Sequence, residues 1–294
     1  MTLTKKLLAA TALVGASASV ANATDLEVMH WWTSGGEAAA VGEAAKAFNA
    51  TGHNWVDAAI AGGDAARAVM VSRLTGGDPM GAFQFNHGRQ AEELIEAGLL
   101  TDITNIAEAE GWKDIVNPPS LLEACTVEGR IYCAPVNIHS WQWLWLSHKA
   151  YKDAGVAVPT NWDEFVAAAP ALEAAGKLPM AMGQQGWQQS GAFNVFMASL
   201  LPSDIYMSVY GSKDTSVAGG ADVAKVFKAA ADARKMTANS TVQNWNDATN
   251  LLITGQAGGQ IMGDWAQGEF AVANAVAGQD YSCLPGLGTN PRLS

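Results

Sequence analysis

The feature that most constrains the fold is a regular alternation of strand and helix patterns in the first hundred residues. Short apolar runs bounded by Gly, Pro and Asp alternate with stretches whose apolar residues recur at helical spacing. This order is typical of an α/β fold with a parallel sheet and helices on both faces. The predicted strands span residues 25–32, 54–61 and 81–85, and the predicted helices span residues 36–48, 62–76 and 89–97.

Aromatic and polar side chains lie where the predicted strands end. Trp31 and Trp32 close the first strand, and Glu37 follows the Gly-Gly turn that leads into the first helix. Gln84 and Asn86 close the third strand. Ligands of parallel sheets bind beyond the carboxyl ends of the strands. Since indole faces pack on sugar rings and planar amides and carboxylates bond to hydroxyls, we expect a sugar-binding cleft here.

The first 23 residues have the pattern of a secretory signal peptide. Lys5 and Lys6 precede an apolar, Ala-rich run, and a small-x-small cleavage site ends at Ala23. Removing this segment changes the net charge from −11 to −13, from 15 basic and 28 acidic side chains. We therefore expect a soluble, exported protein of the periplasm. Its acidic balance argues against nucleic acid or an anionic membrane as a partner.

Three cysteines bear on the fold of an exported chain. Cys125 and Cys133 flank a predicted hairpin whose three-residue loop is residues 128–130, which would place the two thiols opposite each other. We predict a disulfide between them, with two buried thiols as the alternative. Cys283 is then left over and needs an explanation.

The second half repeats the helix–strand alternation. We expect the chain to cross between two lobes near residues 136–141, after an extended, aromatic-rich passage. Asn161 and Glu164 predict a capping box at the start of a helix that ends before Gly176. The expected division is a signal peptide at 1–23, an N-terminal lobe at 24–137, a C-terminal lobe at 138–290 and the start of a return crossover at 291–294.

Tryptophan is the strongest composition signal, with 11 residues. Each one can simply be core, and Trp55, Trp112, Trp143 and Trp162 are interpreted that way. Trp187 and Trp265 lie beside glycine and polar residues, which favours the cleft. Asp264, between Gly263 and Trp265, is predicted to bind the ligand from the second lobe. For Asn137 and His139 a solvated loop is the preferred interpretation.

Other functional classes find little support. The five histidines have no metal-ligand spacing, and no P-loop, nucleophile elbow or dinucleotide-binding glycine pattern is present. No catalytic residue, metal or cofactor is therefore expected. A glycosidase would need two facing carboxylates, for which Glu37 and Asp264 are the conceivable pair.

Five segments together carry a resemblance to a known family. The segments are EVMHWWTSGGE at 27–37, GDPMGAFQFNHG at 77–88, YCAPVNIHSWQWLW at 132–145, AGVAVPTNWDEFVAAAPAL at 154–172 and GQIMGDWAQGEF at 259–270. On these segments, the chain resembles the extracellular solute-binding proteins of ABC sugar importers, and within them the glucose/mannose-binding type.

The resemblance implies a two-lobed, type II periplasmic-binding-protein fold that closes on a monosaccharide and delivers it to the membrane subunits of a permease. A monomer without catalytic activity is expected. The alternatives are a binder of an oligosaccharide or polyol and a secreted carbohydrate-active enzyme. Sugar contact carries over to the following residues: Trp31, Trp32, Glu37, Gln84, Asn86, Trp187 and Asp264.

The resemblance also predicts roughly another hundred residues after position 294. In related chains this tail completes both lobes and adds further sugar contacts. The expectation is therefore that this chain is truncated and that the partner of Cys283 lies downstream.

Overall fold

A computed structural model describes residues 23–289. The predicted signal peptide, except Ala23, and the predicted return crossover lie outside the described residues. The chain folds around two separate sheets, each flanked by helices, which is the two-lobed arrangement predicted from the sequence. None of the helices within residues 23–289 combines the length and apolar character that a membrane span requires.

The first sheet is parallel, as the alternation predicts. Its order is β2-β1-β3, so the central strand pairs with both neighbours. Buried Met29 on β1 packs against Met70 and Leu74 of the second helix, which explains the apolar spacing of that helix. The strands are β1 (Asp25–His30), β2 (Asn54–Ala59) and β3 (Ala82–Phe83), and the helices are α1 (Gly35–Asn49), α2 (Gly63–Thr75) and α3 (Arg89–Glu96).

A small disulfide-linked unit follows the first sheet. Cys125 and Cys133 are bonded, which confirms the predicted pairing. The predicted three-residue loop is wrong: Glu128 and Gly129 alone join the strands, and both have positive φ. Because Arg130 pairs with Val127, it belongs to the second strand. The elements are α4 (Thr104–Ala109), α5 (Trp112–Ile115), α6 (Ser120–Ala124), β4 (Thr126–Val127) and β5 (Arg130–Ile131).

The passage between the two lobes is less regular than predicted. Residues 134–142 form neither helix nor strand, and the extended structure begins only at Trp143. Their position between the two sheets agrees with a crossing near residues 136–141. The lobe boundary at residues 137 and 138 stays a prediction.

The second sheet is mixed, in the order β7-β8-β6-β9. The β6 strand runs antiparallel to both of its neighbours, and β7 runs parallel to β8. The strands are β6 (Trp143–Ser147), β7 (Leu178–Met180), β8 (Ala257–Met262) and β9 (Tyr281–Pro285). A short 3₁₀ turn, Gly286–Gly288, follows β9.

Close packing explains a glycine in the fully buried β8 strand. A Cβ on Gly259 would lie 2.5 Å from the ring of Phe165 and 3.0 Å from the carbonyl oxygen of Trp145. Only a residue without a side chain lets the helix that carries Phe165 approach the sheet so closely. The core around it contains buried Leu144, Leu146 and other side chains from helices on the same lobe.

Eight helices surround the second sheet within the described residues, and two of them, α10 and α11, were not predicted. The sequence predicts a helix over residues 265–277, but the observed helix is shorter and ends at Val272. The predicted capping box is half right: Asn161 caps the Glu164 amide, but the Glu164 carboxylate accepts from Thr160 instead. The helices are α7 (His148–Ala154), α8 (Trp162–Ala174), α9 (Gly186–Leu200), α10 (Ser203–Tyr210), α11 (Thr215–Ala218), α12 (Ala221–Met236), α13 (Trp245–Ile253) and α14 (Ala266–Val272).

Candidate functional site

The first wall of the candidate site is built by the carboxyl ends of β1 and β3. The Trp31 amide, one residue past β1, donates to the Gln84 side-chain oxygen at 3.1 Å. Gln84 is itself held, because its own amide donates to the carbonyl of Met29 at 2.8 Å. Two of the residues selected from the sequence are therefore in direct contact, as the shared edge of a parallel sheet requires.

The Trp31 ring is framed by the first turn of α2. The Arg67 guanidinium lies 5.5 Å from the centre of the indole, a cation–π arrangement. A Cβ on Gly63 would lie 3.6 Å from the same ring. Trp31 and Trp32 are both half-buried, so part of each ring is available to a ligand.

Glu37 turns back onto the loop that carries the tryptophans. Its Oε2 accepts from the amides of Thr33 and Ser34, both at 3.2 Å. Burial raises the pKa of this carboxyl, and the nearby Glu269 carboxylate raises it further, against the lowering effect of the hydrogen bonds. Glu37 thus fixes the loop after Trp32, and its other carboxylate oxygen lies beside that loop.

Asn86 is less closely tied to this group. Its side chain is exposed, and its amide donates to Gln90 on α3 at 3.0 Å. Asn86 is therefore tied to the first turn of α3.

The second wall is a cluster of tryptophans from four separate segments of the chain. Trp265 lies edge-on to Trp141 at 5.2 Å and to Trp245 at 6.4 Å between ring centres. Trp187 lies 5.8 Å from Trp141 and 6.4 Å from Trp265. Gly191 makes room for the cluster, because a Cβ there would lie 2.3 Å from the Trp141 ring.

Asp264 is fixed by the crossing segment. Its Oδ1 accepts from His139 Nδ1 at 2.8 Å, and its Oδ2 accepts from the Ser140 amide at 3.1 Å. Asn137 donates to the other nitrogen of His139 at 2.7 Å. The three polar residues therefore form a chain of hydrogen bonds beside Trp265. From the sequence, Asn137 and His139 were interpreted only as solvated loop residues.

An amide network orients the indole of Trp187. Trp187 Nε1 donates to Gln185 Oε1 at 2.8 Å, and the fully buried Gln188 donates to the same oxygen at 3.1 Å. With its oxygen occupied twice, Gln185 turns its nitrogen toward Asn244 and toward Gly62 of the first lobe. A Cβ on Gly62 would lie 3.4 Å from this nitrogen.

The two walls belong to one junction between the lobes. Gly63 lies against the Trp31 ring, and Gly62, the residue before it, faces Gln185. Gln185 in turn accepts a hydrogen bond from Trp187. Four residues after Trp32, the Gly36 amide donates to Glu269 of the second lobe at 2.8 Å. Contacts between the lobes thus involve two segments that lie near the double tryptophan.

Sequence reasoning found part of this arrangement and missed part. Gln185, Trp141 and Trp245 were not selected. Trp141 was detectable, since it continues the alternation of Trp143 and Trp145 into the crossing segment. Within residues 23–289, no group of three or more His, Cys, Asp or Glu side chains is placed to hold a metal ion.

Comparison with known proteins agrees with the fold. The profile of bacterial extracellular solute-binding proteins matches residues 32–288. A probable sugar-binding periplasmic protein from Brucella melitensis is 37% identical over 96% of this chain and 68% of its own length.

Solved structures of solute-binding proteins share the same fold. The bacterial solute receptor AcbH, described with an exclusive preference for β-D-galactopyranose, superposes with a TM-score of 0.72 at 18% identity, over 92% of this chain and 68% of its own. A solute-binding protein of Agrobacterium vitis with bound D-mannitol has a TM-score of 0.64 at 15% identity, over 90% and 64%. With its two α/β lobes and this match along nearly its whole described length, the chain belongs to the family of bacterial extracellular solute-binding proteins.

Proposed function

We propose that this protein binds a monosaccharide, an aldose of the glucose or mannose type, at the junction of the two lobes, and delivers it to an ABC permease. The observation that supports the proposal is that half-buried tryptophans of both lobes lie beside the contacts at that junction. Trp31 and Trp32 offer indole faces from one lobe, and Trp187 and Trp265 offer them from the other. Indole faces bind the apolar C–H faces of pyranose rings.

The polar groups beside these rings suit sugar hydroxyls. Glu37, Gln84 and Asp264 are each held by hydrogen bonds from neighbouring groups, so their free lone pairs have fixed directions. Preorganised acceptors lose little entropy on binding and discriminate between hydroxyl configurations. Asn86 is proposed as an outer contact, reached by a sugar only at the edge of the first wall.

A small, enclosed ligand is favoured over a long one. Gly62 meets Gln185 on one side of the double tryptophan, and Gly36 meets Glu269 on the other. From these two close contacts we infer a short space between the walls. A polyol is the second candidate, supported by the D-mannitol complex among the structural neighbours.

Calorimetry tests the proposal directly. Glucose, mannose, galactose and xylose are titrated into the protein, with maltose and mannitol as the competing classes. We expect heat from at least one aldose, and Trp31→Ala should weaken its binding roughly tenfold through loss of ring stacking. Trp55→Phe, on the far strand β2, serves as the matched control and should leave the affinity unchanged.

Two results would reject the monosaccharide assignment. The absence of heat with all four aldoses is one, and tighter binding of maltose or mannitol than of any aldose is the other. Turnover of a nitrophenyl glycoside that disappears in Glu37→Gln would instead support the enzyme alternative. For that alternative, Glu37 is poorly placed, because its carboxylate accepts two backbone hydrogen bonds beside Glu269.

The cellular setting follows from the same proposal. The Brucella relative is named as a periplasmic protein, and residues 1–23 have the pattern of an export signal. We infer that the protein is exported to the periplasm and functions there as a monomer. We place the boundary between its two lobes near residue 137. Sugar uptake that requires both this protein and its permease, measured with labelled sugar, would test the delivery step.

A further inference from the structure

The two lobes touch through the first turn of α1 and the first turn of α14. The Gly36 amide donates to Glu269 Oε1 at 2.8 Å, between residues 233 positions apart in the chain. A Cβ on Gly36 would lie 2.8 Å from both Cα and the carbonyl carbon of Gly268, and a Cβ on Gly268 would lie 3.2 Å from Gly36 Cα. The contact is therefore backbone against backbone.

Backbone conformation does not account for these two glycines. Neither lies in the left-handed region, where glycine is favoured. Inside a helix, glycine costs about 1 kcal/mol relative to alanine. Gly36 weakens α1 at its first turn. In exchange, it allows the second lobe to approach closely.

Glu269 completes the contact electrostatically. The first amides of a helix have no partner within the helix, and the positive end of the helix dipole attracts a carboxylate. For α1, a carboxylate from the other lobe takes this role. The nearby Glu37 carboxylate repels Glu269. This repulsion opposes the attraction of Glu269 to the start of α1, so the contact is weak enough for a junction that opens and closes.

We propose that Gly36, Gly268 and Glu269 form a closure latch, which sets the fraction of time that the lobes stand closed and thereby sets ligand affinity without touching the ligand. The effect on affinity rests on the proposed function, whereas the effect on closure does not. When only the closed form binds, the apparent dissociation constant rises in inverse proportion to the closed fraction. The latch therefore scales the affinities for all ligands by one factor.

A pair of glycine substitutions on one helix tests the latch. Gly36→Ala places a methyl group against the Gly268 backbone. Gly42→Ala is the matched control, because a Cβ there meets nothing within 4 Å. Both changes replace a glycine of α1 by a better helix former, so a loss of closure in Gly36→Ala alone reports the contact between the lobes. Glu269→Ala removes the hydrogen bond by an independent route.

The first readout is lobe closure without any sugar, measured as the radius of gyration by small-angle X-ray scattering. Gly36→Ala and Glu269→Ala should increase it, and Gly42→Ala should not. Equal radii for Gly36→Ala, Gly42→Ala and the unmodified protein would overturn the latch. This measurement decides the inference even if no sugar binds.

The second readout is calorimetry with the aldose panel. We expect Gly36→Ala and Glu269→Ala to raise the dissociation constants of all bound sugars by a common factor of roughly ten or more. Gly42→Ala should leave these constants unchanged. A changed order of sugar preference would overturn the latch, because it would mean that these residues contact the ligand. Failure of the unmodified protein to bind any sugar would reject the proposed function alone.

Discussion

Gln188 is expected to be the most sensitive polar residue of the second wall. It is fully buried on α9, where its Oε1 accepts from the Gly183 amide at 3.0 Å. Its Nε2 donates to Gln185 at 3.1 Å and to the Gln243 carbonyl at 3.2 Å. Gln188→Leu keeps the approximate volume of the side chain and removes all three hydrogen bonds.

The size of the effect follows from the partners that the change leaves behind. The Gly183 amide and the Gln243 carbonyl lose the partner that Gln188 supplies, and an unsatisfied buried group costs about 1–3 kcal/mol. The apolar contacts of the leucine side chain offset part of this loss of stability. We therefore expect the free energy of unfolding to fall by about 2–4 kcal/mol.

Urea denaturation followed by tryptophan fluorescence measures this loss, because Trp187 reports the same region. Gln189→Leu is the matched control, since the neighbouring Gln189 is exposed. Its stability should stay within about 0.5 kcal/mol of the unmodified protein. The same loss in both variants, or none in Gln188→Leu, would refute the argument that this network supports the second wall.

Three further predictions concern burial, packing and the disulfide. Because burial raises the pKa of Glu37, its charged form lowers the stability of the fold at neutral pH, and this cost disappears as the pH falls below the usual carboxyl pKa of about 4.3. The melting temperature of Glu37→Gln should therefore exceed that of the unmodified protein at pH 7, and the difference should shrink by pH 4. A difference that does not change with pH would contradict this. Gly259→Ala should destabilise the second lobe by about 1–3 kcal/mol in urea denaturation, because its methyl group would overlap the Phe165 ring. Reduction of the Cys125–Cys133 bond, which closes a short loop with a sequence separation of 8, should cost about 2–3 kcal/mol and be measurable as a lower midpoint for the first lobe.

Local patterns in the sequence were sufficient for several elements. The apolar spacing of residues 63–75 and the short strands around it predicted the parallel first sheet. The spacing of Cys125 and Cys133 across a turn predicted their disulfide, which is bonded as expected. Asn161 predicted the start of α8, because a helix cap depends on residues three positions apart. Such features need only neighbours along the chain.

The candidate site was predicted unevenly for the same reason. Trp31 and Gln84 were selected because strand ends can be recognised locally. The hydrogen bond that joins Asp264 to His139 spans 125 positions, and neither residue alone indicates it. Trp245 opens α13 and was not selected, since its closeness to Trp265 follows from how α13 packs beside β8.

By itself, the amino-acid sequence determined the alternation of elements, the disulfide and the aromatic character of the candidate site. Those properties depend on periodicity, turn residues and composition. The tertiary structure alone decided the mixed order of the second sheet, the grouping of tryptophans from separate elements and the Gly36–Glu269 contact. Each of these depends on chain segments that are far apart in sequence, and only the packing of the lobes brings them within bonding distance.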